Sequence, residues 1–132
     1  MKLENNWKHK SLFNLQKTHP DNPNETPTRL VARCAELIKI PLNEYSVEDL
    51  RLMIGQGLGL QYLIPLAIEK LNNDLFAEGD LYKGDLLANV LRVNRAFWKQ
   101  NPDLRVKLNE LIAENRDVIT EMNISLIAFD TL

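Results

Sequence analysis

From Leu60 to Leu71 the chain carries apolar side chains on almost every face of a helix: Leu60, Tyr62, Leu63, Ile64, Leu66, Ala67, Ile68 and Leu71. A helix with one apolar stripe packs on a surface, whereas one that is apolar all round has to be enclosed by other elements. The lipid bilayer is not the enclosure. The run around Leu58 to Leu71 is interrupted by Gln61, Pro65 and Glu69 and falls short of the roughly 20 apolar residues that a span requires. A central helix near residues 60–71 is therefore predicted, surrounded by protein. Pro65 lacks a backbone donor, which predicts a kink or a helix start close to it. Just upstream, Gly55-Gln56-Gly57-Leu58-Gly59 places three glycines in five positions, the mark of a tight connection or a close helix approach.

The flanking segments supply the enclosing helices. Leu30, Val31, Cys34, Leu37 and Ile38 recur at helical spacing after Thr26-Pro27, an N-cap and first-position pair, and Pro41 ends that helix after about Lys39. Ser46 is a second N-cap, with Glu48 and Asp49 in the first turn where the helix dipole favours carboxylates, and Val47, Leu50, Met53 and Ile54 behind them. After a polar, acidic stretch from Asn72 to Gly84, Asp85 is positioned to cap a short helix burying Leu86, Leu87, Val90 and Leu91. Arg95 to Lys99 forms a further turn. Asn101-Pro102 opens a long last helix whose stripe runs through Leu104, Leu108, Leu111, Ile112, Ile119 and Met122. The apolar tail Ile124 to Phe129 has to dock, in a conformation the pattern does not specify. At the other end, residues 1–25 form a polar segment, partly loop (Thr18 to Pro27), with a short helix at Ser11 to Lys17.

The fold class is thus all-α, a single compact multi-helix domain of about five to seven helices over residues 1–132. With 132 residues, 45% of them hydrophobic and 26% charged, the chain has enough apolar material for one core and too much for disorder. No internal repeat is visible.

The residues that would carry chemistry are poorly placed for it. A formal net charge of -2 gives no general basic surface for neutralising phosphates, which argues against direct nucleic-acid binding. Cys34 is the only cysteine; it sits in an apolar stripe, where a free thiol behaves as a small hydrophobe. His9 and His19, the two histidines, both lie in the polar N-terminal segment and offer no start for a triad or a zinc site. The glycines at 55, 57 and 59 follow no strand and precede no Lys-Ser or Lys-Thr, so they match neither a P-loop nor a dinucleotide fingerprint. Glu78, Asp80 and Asp85 near Gly79 and Gly84 raise a divalent-cation site, but without alternating oxygen ligands or six donors. Glu48 and Asp49 are adjacent, so on a helix they point apart and do not share a reacting bond. The expectation is a non-enzymatic protein with no cofactor and no metal. The first residues contain no apolar leader, which predicts a cytoplasmic location.

Charge is unevenly distributed. Residues 36 to 85 carry nine acids (Glu36, Glu44, Glu48, Asp49, Glu69, Asp74, Glu78, Asp80, Asp85) against four bases (Lys39, Arg51, Lys70, Lys83). This is either an acidic face for a basic protein partner, with fast and salt-sensitive association, or a set of solvated helix surfaces.

SVEDLRLMIGQGLGLQYLIPLAIEKL from Ser46 and EGDLYKGDLLANVL from Glu78, with KSLFNLQ from Lys10 and LVARCAEL from Leu30 in the same order, resemble the immunity proteins of bacterial contact-dependent growth inhibition (CDI) systems, CdiI type. The resemblance runs from Lys10 to about Pro102 and departs at Ile38-Lys39-Ile40. It implies a cytoplasmic protein that binds and neutralises the toxic C-terminal domain of a cognate secreted effector. Many such toxins are nucleases, whose basic clefts an acidic inhibitor can occupy or flank. Under that implication the contact residues are exposed acids and an aromatic: Glu78, Asp80, Tyr82 and Asp85, then Glu44, Glu48 and Asp49, unless Asp80 and Asp85 cap helices instead. Two other readings stand beside it: a helical adaptor or regulator unrelated to toxins, and a small metal-dependent enzyme using Glu78, Asp80 and Asp85.

Overall fold

A computed structural model describes residues 6–16 and 28–132, and among these residues every regular element is helical. The α-helices are α1 (Leu12–Gln16), α2 (Arg29–Ile38), α3 (Val47–Gly55), α4 (Leu60–Asn73), α5 (Asp85–Leu91), α6 (Arg95–Gln100), α7 (Pro102–Ala113), α8 (Arg116–Glu121) and α9 (Ile127–Asp130). Single 3₁₀ turns occupy Trp7–His9 and Leu42–Glu44. Only α2, α3, α4, α5 and α7 reach seven residues. The remaining four are short segments that fasten the ends of the longer helices.

The enclosed helix is α4. Leu63, Ile64, Leu66, Ala67, Ile68 and Leu71 are all buried, against Leu50, Met53 and Ile54 of α3, Leu86, Leu87, Val90 and Leu91 of α5, and Leu108 and Ile112 of α7. Each large aliphatic side chain so enclosed contributes about 1.5–3 kcal/mol, before conformational entropy is counted. The helix begins at Leu60 and passes through Pro65, so the start expected near the proline is five residues earlier. Gly57 (φ 71°) and Gly59 (φ 61°) are left-handed and make the α3–α4 turn. A Cβ on Gly59 would lie 2.7 Å from Leu12 Cδ1, so this glycine also lets α1 dock.

The cap of α2 is Thr28, whose hydroxyl accepts from Val31 N at 3.2 Å. The expected Thr26-Pro27 start and the Thr18 to Pro27 loop, together with Lys17, lie outside the described residues. Leu30 and Val31 are exposed, leaving Cys34, Leu37 and Ile38 as the buried face. Burial raises the Cys34 thiol pKa, the opposite of the activation a nucleophile needs. The buried Tyr45 hydroxyl donates to Leu37 O at 2.7 Å, and burial pushes its pKa well up. At α3, Ser46 and Asp49 form a reciprocal capping box, with Ser46 N donating to Asp49 Oδ2 at 3.0 Å and Asp49 N to Ser46 Oγ at 3.1 Å.

The single long last helix expected after Pro102 is two helices. Asn115 Nδ2 donates to Leu111 O at 2.9 Å, and Asn115 N turns instead to Ile112 O at 2.9 Å. The amide side chain thus replaces the backbone donor that would have continued the helix. Asn101 behaves similarly: its Nδ2 closes α6 by donating to Phe97 O, and it gives α7 no side-chain cap. Residues 124–132 dock along α5, α6 and α7. Phe129 packs edge-to-face on Trp98 (centroids 5.4 Å apart), Arg116 holds Asp130 through bonds of 2.7 and 3.0 Å, and Arg95 and Arg105 donate to the carbonyls of Thr131 and Leu132.

Candidate functional site

Asp85 stands at the first position of α5 with Gly84, in the left-handed region at φ 91°, as the N-cap, which corrects the expected capping role. Its carboxylate points back into the preceding loop, residues 74–84, and is fully buried. Oδ1 accepts from Gly79 N at 2.7 Å, and Oδ2 accepts from Leu81 N at 3.0 Å and Tyr82 N at 3.4 Å. Removing a carboxylate from water is costly unless its oxygens find donors and a counter-charge. The three amides are the donors, and Arg51 Nε lies 3.8 Å away as the counter-charge.

Glu48 holds the loop from the α3 side. Arg51 grips it with two bonds of 2.6 Å, from Nε and Nη2, one helical turn on, and Glu48 Oε1 accepts from Asp80 N at 2.8 Å. The Arg51 bonds are the largest cause, and the Asp80 amide a smaller one, that hold the Glu48 carboxyl below its ordinary range against the opposing effect of burial. Gly79 is the point of closest approach. A Cβ there would meet Glu48 Oε1 at 2.6 Å and Asp85 Oδ2 at 3.0 Å, so no side chain fits between the two carboxylates. At Gly84 a Cβ would lie 2.7 Å from Ile124 Cδ1, where residues 124–132 buttress the loop.

This frame turns Glu78, Asp80, Leu81, Tyr82 and Lys83 toward solvent. Leu81 is 63% exposed and Tyr82 44%. Beside Tyr82 a groove of about 480 Å³ runs between α5 and the 123–128 segment, and Ala88, Arg92, Ile124, Ile127 and Ala128 are among its walls.

The seven positions named as contacts from the sequence therefore separate. Glu78, Asp80, Tyr82 and Glu44 are exposed, and the three acids make no ion pair with a described residue. Asp85 and Asp49 are buried, the latter bonded to Ser46 N and to Arg33 Nη2 at 3.0 Å. Glu48 is partly buried in the Arg51 pair. These three have internal tasks. Arg51, Gly79, Leu81 and Ile127 were not singled out from the sequence. Only Arg51 had a legible signal, its position three residues after Glu48 on a helix.

Other chemistry finds little support in the geometry. The oxygens of Asp85 face N–H donors, an arrangement that serves no cation, and no group of three His, Cys, Asp or Glu side chains among the described residues is placed to hold an ion. Gly57 N and Leu58 N are bonded to Ile54 O and Met53 O at 2.9 Å each, so the glycine turn does not offer those amides to a phosphate. His9 faces Asn43 Nδ2 at 3.2 Å, and His19 lies outside the described residues. No described helix is long and apolar enough to cross a membrane.

Compared with known protein families, residues 14–108, well over half of the chain, match a family described as CDI immunity proteins. The match takes in the whole of α2 to α6, the 74–84 loop and the first part of α7; α8, α9 and the 124–132 segment fall beyond it. No match was found among curated proteins or among solved structures.

Proposed function

We propose that this chain, which belongs to the CDI immunity protein family, neutralises a nuclease toxin domain by laying its 74–84 loop on the toxin's basic substrate cleft. Proteins of this family are not enzymes and act by binding a cognate CDI toxin, so the function is exerted from a surface.

The observation that carries the assignment of that surface is the buried Asp85 carboxylate holding three loop amides. A loop fixed in advance loses little conformational freedom on binding, which leaves more of the contact energy as affinity. What it presents suits a cationic partner: Glu78 and Asp80, two acids in no ion pair with a described residue, beside the exposed Leu81 and Tyr82. Acids of this kind stand where phosphates would lie in a nuclease cleft, steer association and make it salt-sensitive. Glu48 and Asp85 are assigned to the loop's support, while Asp49 caps α3 and Glu44 is exposed on the 3₁₀ turn before that helix. A stable complex buries roughly 1,200–2,000 Å² in all, which the loop supplies only together with its neighbours. The protein acts in the cytoplasm of the cell that makes it, where the toxin would otherwise reach nucleic acid.

The test is co-expression with the C-terminal toxin domain encoded by the neighbouring gene. A stoichiometric complex, restored growth and a nuclease activity lost on adding the chain are expected. A toxin domain that neither binds the chain nor is neutralised by it would overturn the family-level function for that pair; one that is bound and neutralised but cleaves no nucleic acid would overturn only the nuclease reading.

A further inference from the structure

A second groove runs between α4 and α7. Two adjoining cavities of about 430 and 340 Å³ make it, and Pro65, Leu104 and Lys107 border both. It follows α4 from Gln61 to Asn72, a length of about 16 Å at 1.5 Å per residue. An extended segment of about five residues covers that distance. The floor is apolar, formed by the buried Ile68 and the half-buried Pro65, Leu104 and Leu111. Asn72, on one wall, lies two residues before Asp74, so the groove ends where the 74–84 loop leaves α4.

The rim is acidic. Asp103, Lys107, Glu110 and Glu114 recur at intervals of three and four residues along α7 and its C-cap, which places them on one face, and all four are exposed. Glu69 lines the groove from α4, and Lys8 holds it at 2.7 Å. Asp103, Glu110 and Glu114 make no ion pair with a described residue, so along this rim three acids stand against the one base Lys107. Helix stability does not account for Glu110 and Glu114. The last turn of α7 holds no base; carboxylates there oppose the helix dipole, and two of them four residues apart repel each other. Charges set against their own helix are expected where a partner supplies the balance.

Resting on the toxin-binding reading, we infer that the groove between α4 and α7 seats an extended basic segment of the cognate toxin domain. Lysine and arginine side chains match both of its parts. Their long stems lie on Pro65, Ile68, Leu104 and Leu111, and their cationic heads reach the carboxylates of the rim. A purely apolar segment would cover the floor and leave Glu110 and Glu114 unanswered.

The probe is the toxin domain encoded next to this gene, titrated calorimetrically against wild type, Glu110→Lys, Glu114→Lys and, as a control, Glu121→Lys, an exposed acid of α8 outside the groove. The three variants change the net charge equally, so a difference between them reports position. Glu110→Lys and Glu114→Lys are each expected to weaken binding about 10-fold. Their melting temperatures should be no lower than that of wild type, because a base at the end of α7 suits the helix dipole. Glu121→Lys should bind as wild type. Wild-type affinity in both groove variants, with wild type itself binding, overturns the groove while leaving toxin binding intact. An equal loss in Glu121→Lys assigns the effect to overall charge and overturns the groove too. No binding by wild type overturns the reading beneath it. Wild type that dimerises by light scattering, with Glu110→Lys monomeric, assigns the groove to a second copy and overturns the inference as well.

Discussion

Asp85→Asn isolates the device that shapes the loop. The substitution keeps the shape of the side chain and removes its charge and one acceptor. If the amide oxygen takes the Oδ2 place, it retains Leu81 N and Tyr82 N, and the amide nitrogen then faces Gly79 N at the 2.7 Å site. Two donors oppose each other in a site with no exposure. A hydrogen bond to a charged group is worth about 1.5–3 kcal/mol, and a buried donor left without an acceptor costs a further 1–3 kcal/mol. Partial relaxation of the loop offsets some of this, so about 3 kcal/mol is expected, a large part of the roughly 5–15 kcal/mol that holds such a domain together. For a chain of this size that lowers the melting temperature by about 10 °C. Thermal unfolding followed by circular dichroism gives the loss; amide hydrogen exchange gives its place, with faster exchange at Gly79 and Leu81 and little change at Leu63 in α4. Asp80→Asn, on an exposed side chain, should shift stability by less than about 0.5 kcal/mol. A melting temperature within about 2 °C of wild type, with the Gly79 amide still protected, would refute the claim that the buried carboxylate fixes the loop.

Gly79→Ala forces a methyl group between carboxylates that are already bonded, and should destabilise by about 1–3 kcal/mol; a denaturant midpoint equal to wild type would contradict this. The depressed Glu48 pKa gives the acid limb a sign: the contribution of Glu48 is complete above its ordinary value of 4.5 and is lost as pH falls through the lower folded value. Glu48→Gln should therefore be less stable than wild type at neutral pH and lose less on acidification below 4.5, checked by urea midpoints across that window. Phe129→Ala removes a buried ring from Trp98 and should cost about 3–5 kcal/mol, with Trp98 fluorescence shifted to the red as water reaches it; an unshifted spectrum would mean that the tail stays docked without the ring.

What was legible in the sequence was legible because apolar periodicity reports burial. The central helix, the Ser46 cap and the stripe of α5 follow from spacing alone. The errors lie where a polar side chain chose between neighbours of similar chemistry. Asp85 fits a cap by position, but its oxygens found three amides behind it. Asn115 sits within an otherwise helical stretch, and its amide displaced the backbone donor that spacing assumed. The acidic excess of residues 36–85 was visible, yet composition does not say that Asp49 and Asp85 turn inward while Glu78, Asp80 and Glu44 stay in water. Ile127 was out of reach because a short apolar tail specifies burial for some residues, here Ile124, Leu126 and Phe129, without saying which one is left outside.

The loop takes its form from Glu48, Gly79, Gly84 and Asp85, and none of these supplies the exposed apolar side chains at its tip. Shape and message are therefore written in different letters. Leu81, Tyr82 and Lys83 are open to replacement, by drift or by design, while the backbone beneath them stays in place.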